Sequence, residues 1–244
     1  MSLSRILEEE VMDSAEEALD YDTMDHQAVN QRFSQDFLSA WKPIAGNVSP
    51  GVMPNGVPKP AVVLDLGTGT AQIPVEMCRQ DAEIKILGVD LATSMLELAR
   101  YNIEAAGFRE RIQLAHVDAK GLPYEDGAFV AVVSNSIVHH IPQPRASLKE
   151  AVRVTANGGM LFFRDLMRPD SLSQLKQLVD LYAGDATDRQ QKLFADSLHA
   201  ALTREEVRQL VEELGFDPST VQATSDRHWT WCAVKPAHEE GKTR

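Results

Sequence analysis

The stretch VLDLGTGTAQ, residues 63–72, decides the fold. It ends an apolar run that predicts a buried strand over residues 61–66, and Gly67 and Gly69 then predict a tight turn into a helix. Glycine lets the backbone approach a ligand closely, and the helix N-terminus offers unpaired N–H groups. A dinucleotide fingerprint would have a third glycine at position 72. This chain has Gln72 there, which weakens a nicotinamide-binding interpretation without removing it.

Short apolar runs alternate with amphipathic stretches after this motif. Near-continuous apolar runs are typical of parallel strands buried on both faces, and their alternation with helices predicts an α/β, doubly wound, Rossmann-like sheet. Further strands are predicted over residues 84–90, 112–117, 129–134 and 160–165, with helices over residues 71–79, 94–106 and 147–154. The turn Asn157-Gly158-Gly159 predicts that the last of these helices ends before it.

The two ends of the chain have different patterns. Residues 1–45 predict a helical N-terminal extension, and the Pro- and Gly-rich residues 43–60 predict a long loop before the main domain of residues 60–235. Within that domain, two helices form an insertion at about residues 171–201, and Thr203 with Glu206 forms a capping box for another helix. Strand-like runs follow at residues 221–225 and 229–234, and residues 236–244 predict a flexible tail.

Composition excludes several classes of function. The net charge is −12, with 36 acidic and 24 basic residues and no Lys/Arg cluster, so we expect no nucleic-acid partner. Cys78 and Cys232 form no CxxC pattern, which indicates a reducing, cytoplasmic compartment and no structural zinc. Because no uncharged apolar window reaches about 18 residues and no signal peptide begins the sequence, we expect no membrane association.

Acidic residues follow two of the predicted strands. Asp90 ends the second strand, where a carboxylate can accept hydrogen bonds from a ribose diol, and Asp118 ends the third, where it can meet an adenine amino group. The fourth strand ends at Ser134 and Asn135, beside the point where strand order reverses and ligands bind. The pattern therefore indicates an adenosine-containing ligand.

Together these motifs resemble those of class I S-adenosylmethionine (SAM)-dependent methyltransferases. The resemblance covers roughly residues 60–165 and consists of VLDLGTGTAQ, GVDLATSMLELAR, HVDAKGLPY, the fourth strand and the NGG turn, in order and at the usual spacing. The run GGMLFFRDLMRP is similar to the fifth-strand region of the ubiquinone/menaquinone C-methyltransferases. The resemblance implies a mostly parallel sheet with an antiparallel final strand, SAM as cofactor and S-adenosylhomocysteine (SAH) as product.

The resemblance also implies a set of cofactor-binding residues. Asp65, the glycine turn and Ser134 would border the methionine part of SAM, Asp90 the ribose, and Asp118 the adenine edge. Tyr21 lies in a segment similar to one that closes over the cofactor as a lid; a plain packing helix is the alternative. The full implied set is Tyr21, Asp65, Gly67, Thr68, Gly69, Asp90, Leu91, Met95, Asp118, Ala119, Ser134 and Asn135.

Candidate acceptor-binding residues follow the fourth and fifth strands. His139 and His140 are the candidate catalytic bases, because an imidazole titrates near neutrality. If their segment is extended, neighbouring side chains point to opposite sides, so we expect only one ring to reach the acceptor. Arg168 favours an anionic acceptor, and Arg164 either binds substrate or forms a structural ion pair. No HExxH motif or carboxylate triad accompanies the histidines, so no metal is expected.

The predicted function is transfer of the SAM methyl group to a small-molecule acceptor by in-line displacement. Asn135-Ser136-Ile137-Val138 replaces the NPPY-type sequence of enzymes that methylate bases or glutamine amides, and at this position the resemblance to quinone enzymes also fails. One alternative is a SAM-binding protein that modifies SAM or no longer transfers methyl groups; another is a nicotinamide oxidoreductase. The sequence leaves the oligomeric state open, a dimer included.

Overall fold

The structure, a computed structural model, describes residues 3–8, 13–23, 27–48, 51 and 59–236. The chain divides into two compact units. The large unit contains Met12–Ser134, Ala146–Phe162 and Cys232–Arg244, and the small unit contains Met1–Val11, Asn135–Arg145 and Phe163–Trp231.

In the described part of the chain, seven strands form one sheet in the order β3-β2-β1-β4-β5-β7-β6. Strand β1 pairs in parallel with β2 and β4, β2 pairs in parallel with β3, and β6 pairs antiparallel with β7. The predicted α/β class with an antiparallel final strand is confirmed. The bounds are β1 (Val63–Leu66), β2 (Ile86–Asp90), β3 (Ile112–His116), β4 (Phe129–Asn135), β5 (Thr155–Leu166), β6 (Val221–Ala223) and β7 (His228–Val234).

The helices follow the predicted pattern closely after residue 60. Thr203 and Glu206 form the predicted capping box, in which each side chain accepts the other residue's backbone N–H. Among the described residues, no helix is both long and apolar enough to cross a bilayer. The bounds are α1 (Ala15–Thr23), α2 (Gln27–Ala45), α3 (Gln72–Gln80), α4 (Thr93–Ala106), α5 (Arg145–Val154), α6 (Leu172–Ala183), α7 (Asp188–Ala200) and α8 (Arg204–Glu213).

The N-terminal region corrects two expectations. Residues 3–8 are not helical, because their backbone and side chains bond to distant segments: Ile6 N donates to His199 O at 3.2 Å. Pro43 lies inside the last turn of α2 instead of opening the loop, and the helix ends two residues later at Ala45. Residues 49, 50 and 52–58 of the predicted loop, and residues 237–244 of the predicted tail, lie outside the described residues.

Strand β5 is longer than the predicted 160–165. Helix α5 ends at Val154 as expected, but the Asn157-Gly158-Gly159 turn signal lies within the strand. Close packing requires the second glycine, since a Cβ on Gly159 would lie 2.7 Å from Val130 O. The glycine pair therefore marks a close approach of two backbones as well as the end of a helix.

The core of the large unit joins α2 to the sheet. Every residue of β1 is buried, and so are Phe33 and Phe37 of α2. Their rings pack edge-to-face on Phe162, with centroids 5.2 and 5.7 Å from it. Such aromatic pairs contribute about 0.5–1.5 kcal/mol beyond their buried area. Helix α2 is thus part of the core of the large unit.

Candidate functional site

The turn after β1 has the left-handed backbone that its glycines predict. Gly67 has a φ of 70° and Gly69 a φ of 53°. Val89 O, at the end of β2, accepts hydrogen bonds from Gly67 N at 2.9 Å and Thr68 N at 3.0 Å. Ala71 also has a positive φ, 61°, at a cost of about 1–2 kcal/mol for an L-residue. The turn lies at the carboxyl ends of β1 and β4, where strand order reverses.

Asp65 is almost completely buried beneath this turn, with 2% of its surface exposed. Burial raises the pKa of Asp65 to about 7, and the charge of Asp90 adds to the shift. A cation bound beside the carboxylate would favour its ionised form. The side chain can therefore respond to a positively charged ligand group near neutral pH.

Asp90 connects the two turns that follow β1 and β2. Its Oδ2 accepts from Gly69 N at 2.8 Å and its Oδ1 from Ala92 N at 2.9 Å. Burial raises its pKa, while these backbone hydrogen bonds oppose the shift. Since each carboxylate oxygen has two lone pairs, both retain the capacity to accept a hydrogen bond from a ligand hydroxyl.

The other candidate cofactor residues occupy different environments. Asp118 Oδ1 accepts from Lys120 N at 2.8 Å and pairs with Lys120 Nζ at 3.1 Å. Ser134 Oγ donates to Leu66 O at 2.9 Å, which holds β4 beside β1. Met95 is buried, while Leu91, Ala119 and Asn135 are half-buried. The large unit contains all of these residues except Asn135, and the side chain of Tyr21 lies outside the described part of the chain.

Gln72 has a role that the sequence pattern did not predict. Its Nε2 donates to Asp22 Oδ1 at 3.0 Å, and its Oε1 accepts from Asn30 Nδ2 at 3.0 Å. Asn102 Nδ2 also donates to Asp22 Oδ1, at 2.9 Å. The residue that departs from the dinucleotide fingerprint therefore ties α1 and α2 to the first turn of α3.

Gly88 has no side chain and so leaves room for Thr68 of the glycine turn. A Cβ at this position would lie 2.6 Å from Thr68 Oγ1 and 3.0 Å from Thr68 Cβ. We expect Gly88→Ala to lower the free energy of unfolding by about 1–3 kcal/mol, because the added methyl group must displace the Thr68 side chain. Denaturant unfolding measures this, with Gly121→Ala as the control, since a Cβ there meets nothing within 4 Å. Equal stability of the two variants would contradict the assignment.

In the small unit, His139 is clamped by a buried aspartate. His139 Nδ1 lies 2.5 Å from Asp165 Oδ1, and the side chains are 4% and 1% exposed. Asp165 Oδ2 also accepts from Val138 N at 2.5 Å. Burial alone would lower the pKa of His139, but the charge and hydrogen bond of Asp165 outweigh it and raise that pKa. The pairing places a proton on Nδ1 and leaves Nε2 to act on another group.

Both histidine rings face Glu8, because their segment is not the extended one on which the expectation of a single ring reaching the acceptor depended. Residues 138–140 form a turn instead of an extended segment, and the ring centroids are 4.1 Å apart. Glu8 Oε1 lies 3.1 Å from His140 Nδ1 and 3.5 Å from His139 Nε2. Burial raises the pKa of Glu8, and His139 opposes that shift.

The two candidate arginines are engaged with protein groups. Arg164 is buried, and its Nε donates to Thr230 Oγ1 at 2.9 Å. Arg168 is buried as well; it donates to Ala201 O at 2.8 Å and pairs with Glu206 at 2.6 Å. Glu206 already pairs with the Arg168 charge, and among the described residues only Nε of this side chain has no hydrogen-bond partner and is left for an acceptor carboxylate.

Sequence reasoning did not select Asp165 or Glu8. Asp165 lies beside Arg164 at the end of the fifth predicted strand, at the edge of the sheet where substrates bind, but of the two only Arg164 is among the predicted site residues. Nothing in the sequence links Glu8 to histidines so far along the chain. Their proximity depends on Arg5, whose guanidinium donates to Ala200 O, His139 O, Ile141 O and Pro142 O at 2.6–3.1 Å.

Comparisons with known proteins place these features in context. A family model described as a methyltransferase domain matches residues 64–163. Demethylmenaquinone methyltransferase of Staphylococcus aureus is 30% identical over 172 residues, which cover 66% of this chain and 70% of that protein. The Porphyromonas gingivalis enzyme of the same name is 29% identical over 168 residues, covering 64% of this chain and 68% of its own.

A solved structure supports the fold assignment. A protein of Methanococcus maripaludis that is assigned to the SAM-dependent methyltransferases superposes with a TM-score of 0.64 and 16% identity. The superposition covers 97% of this chain and 100% of that one. At this level of identity the likeness shows a shared fold.

Proposed function

The chain belongs to the class I SAM-dependent methyltransferases, and from that premise we propose that it methylates a small-molecule acceptor. SAM is its cofactor, and it resembles the quinone methyltransferases. The names of those relatives support a methyltransferase that acts on a small-molecule acceptor in preference to a nicotinamide oxidoreductase. The comparisons equally give no support to a protein that modifies SAM or has lost transfer activity.

We assign the cofactor to the turns around β1 and β2. Asp90 would accept hydrogen bonds from the ribose hydroxyls, since its oxygens retain lone pairs after binding Gly69 N and Ala92 N. Asp65 and Gly67 would border the methionine part, and Asp118 the adenine edge. The segment of α1 would serve as a lid; its Asp22 contacts Gln72 at the start of α3, which supports a place near the cofactor.

We assign acceptor activation to His139, and the buried His139–Asp165 pair is the observation that carries this proposal. Burying a charged group costs free energy, and the side chains of His139 and Asp165 are only 4% and 1% exposed. This cost supports a functional role for the pair. The pair fixes the ring and directs the Nε2 lone pair at the acceptor, whose hydroxyl or amine must lose a proton. Nε2 can act by taking that proton or by holding a Lewis acid.

Besides acceptor activation, the main task of the protein is to align the acceptor with the methyl group. The sulfonium already activates the methyl group, so alignment with the acceptor supplies the main acceleration, on the order of 7–11 kcal/mol. The acceptor atom forms a bond to the methyl carbon while the carbon–sulfur bond breaks. The electron pair of the broken bond stays on sulfur, which gives SAH. A group that helps the acceptor to lose its proton increases the reaction rate by a further factor of roughly 10²–10⁴.

The proposed partners follow from charge and composition. The net charge of −12 argues against nucleic acid, so the proposed acceptor is a free metabolite. Cys78 and Cys232 are both free thiols, which fits a cytoplasmic location. We propose no membrane partner. The oligomeric state stays open, and a dimer is one of the states it allows.

Cofactor affinity is expected to depend on pH through Asp65. The pKa of Asp65 is raised to about 7, and only its ionised form attracts the ammonium group of SAH. Affinity should therefore rise with pH and level off above 7, with a dissociation constant about tenfold larger at pH 6 than at pH 7.5. Calorimetry across this range measures the change. The Asp65→Asn variant should give a flat profile; if wild type is equally flat, Asp65 does not face the ammonium group.

The proposed function is tested by SAH formation from SAM with a panel of metabolites. The panel contains phenols, hydroquinones, alcohols, amines and carboxylates, with a short oligonucleotide and a peptide as other substrate classes. We expect turnover with a small molecule that carries a hydroxyl or an amine. Turnover with the oligonucleotide or peptide alone would refute the small-molecule assignment.

A further inference from the structure

Glu8, His139 and His140 bring together three groups that commonly bind metal ions. One ligand atom from each of the three side chains lies within 4.8 Å of the other two. Two imidazole nitrogens and one carboxylate oxygen suit divalent first-row cations, Zn²⁺ in particular. We infer that these side chains form a binding site for one such cation. This proposal departs from the sequence-based expectation of no metal, which considered the two histidines without Glu8 because Glu8 lies far from them along the chain.

The spacing of the donor atoms suits a single ion. Zinc binds imidazole nitrogen and carboxylate oxygen at about 2.0–2.2 Å, so tetrahedral ligand atoms lie about 3.4 Å apart. Glu8 Oε1 is 3.5 Å from His139 Nε2 and 3.1 Å from His140 Nδ1. The third separation, between one nitrogen of each histidine, is within 4.8 Å, and a bound ion would draw these two ligands closer together. Three protein ligands leave a fourth position for an exchangeable group, as in catalytic zinc sites.

Two further observations point to a ligand. Glu8 Oε1 is buried and makes no hydrogen bond within the described residues, and the groups beside it are the two imidazole nitrogens at 3.1 and 3.5 Å, so carboxylate and rings face a common point. Asp165 binds the other nitrogen of His139, at 2.5 Å from Nδ1. Metal-binding histidines commonly have such a carboxylate partner, which fixes the tautomer and the direction of the ligating nitrogen.

The segment that supplies Glu8 is held in place before any ion binds. Arg5 donates to the carbonyls of His139, Ile141 and Pro142, and Ser197 Oγ donates to Glu8 Oε2 at 3.2 Å. The Arg5 charge opposes a nearby cation, but Glu8 and Asp165 supply two negative charges beside it. A pre-ordered set of ligands loses little conformational freedom when the ion binds.

This inference rests on the proposed function and specifies how Nε2 acts on the acceptor. A hydroxyl of the acceptor would occupy the fourth position on the cation, which lowers the hydroxyl pKa and lets its proton leave to water. The resulting oxygen then forms the bond to the methyl carbon, and the carbon–sulfur electron pair remains on sulfur. The cation changes no oxidation state, so no oxidant or reductant is needed.

The test measures Zn²⁺ binding to the full chain, without a histidine tag and after chelator treatment, by calorimetry; Co²⁺ absorption provides a second readout. We expect one ion per chain, and an affinity at least 100-fold weaker in Glu8→Gln, His139→Gln and His140→Gln. The Asp165→Asn variant should bind Zn²⁺ with an affinity about 10–100-fold weaker than that of wild type. Glu97→Gln, on the exposed face of α4, is the matched control and should bind as wild type does.

SAH binding by every variant verifies that it is folded. Absence of stoichiometric binding by wild type, or undiminished binding by the Glu8 and His139 variants, overturns the metal site. Full methylation by the metal-free enzyme also overturns it and leaves the proposed function intact, with His139 taking the proton directly. Failure of the proposed function is a different result: no acceptor is methylated with or without Zn²⁺.

Discussion

His139→Gln is expected to lower the turnover number by about 10²–10⁴-fold, the usual contribution of a group that helps an acceptor lose its proton. The side chain is 4% exposed and its Nδ1 is held by Asp165, so a glutamine at this position cannot reproduce the oriented Nε2. SAH affinity should stay within about threefold of wild type, or under ~0.7 kcal/mol. Steady-state kinetics with the acceptor found in the panel, together with SAH calorimetry, measure both quantities.

Two further variants make this result specific. His199→Gln removes a histidine from α7 of the small unit and should keep wild-type turnover. Asp165→Asn keeps the shape of the carboxylate but not its charge, so it should lower turnover in the same direction and change its pH profile. If His139→Gln retains more than a third of wild-type turnover, acceptor activation has been assigned to the wrong residue.

Asp90→Ala is expected to raise the dissociation constants of SAM and SAH by about 10–100-fold. Charge-assisted hydrogen bonds contribute about 1.5–3 kcal/mol, and each 1.4 kcal/mol is a factor of ten. The variant also frees Gly69 N and Ala92 N, which bind the carboxylate at 2.8 and 2.9 Å. Calorimetry measures the affinities.

Asp90→Asn separates the two contributions. Its amide keeps one oxygen for a backbone N–H but loses the charge, so an intermediate loss of affinity is expected. Glu97→Gln, an exposed substitution on α4, provides the control for charge removal near this turn. Unchanged SAH affinity in Asp90→Ala would show that the ribose binds elsewhere.

The sheet could be predicted well from the sequence because a buried strand is a continuous apolar run of neighbouring residues. Strands β1 and β4 are nearly continuous apolar runs, and the Thr203–Glu206 box marks the start of α8 within four residues. The extent of β5 was less predictable, since Gly158 and Gly159 are turn formers whose role in close backbone packing appears only in three dimensions.

The candidate site was predictable to a similar degree. Asp90 could be selected because its neighbours along the chain form a recognisable motif, and the structure shows its contacts to a turn also marked by glycines. Glu8 could not, because it meets His140 through the contacts of Arg5, and no local pattern encodes such a long-range arrangement. Arg168 could be predicted as a candidate from its place after the fifth strand, but its pairing with Glu206 depends on a helix from another part of the chain.

The central claim is that the chain moves the SAM methyl group to a small molecule activated at His139. The most direct measurement incubates wild type and His139→Gln with SAM carrying a deuterated methyl group and the acceptor found in the panel, and weighs the products. We predict that wild type forms SAH and an acceptor bearing one deuterated methyl group in equal amounts, and that the variant forms almost none. SAH without a labelled acceptor, or equal labelling by both proteins, would contradict the account.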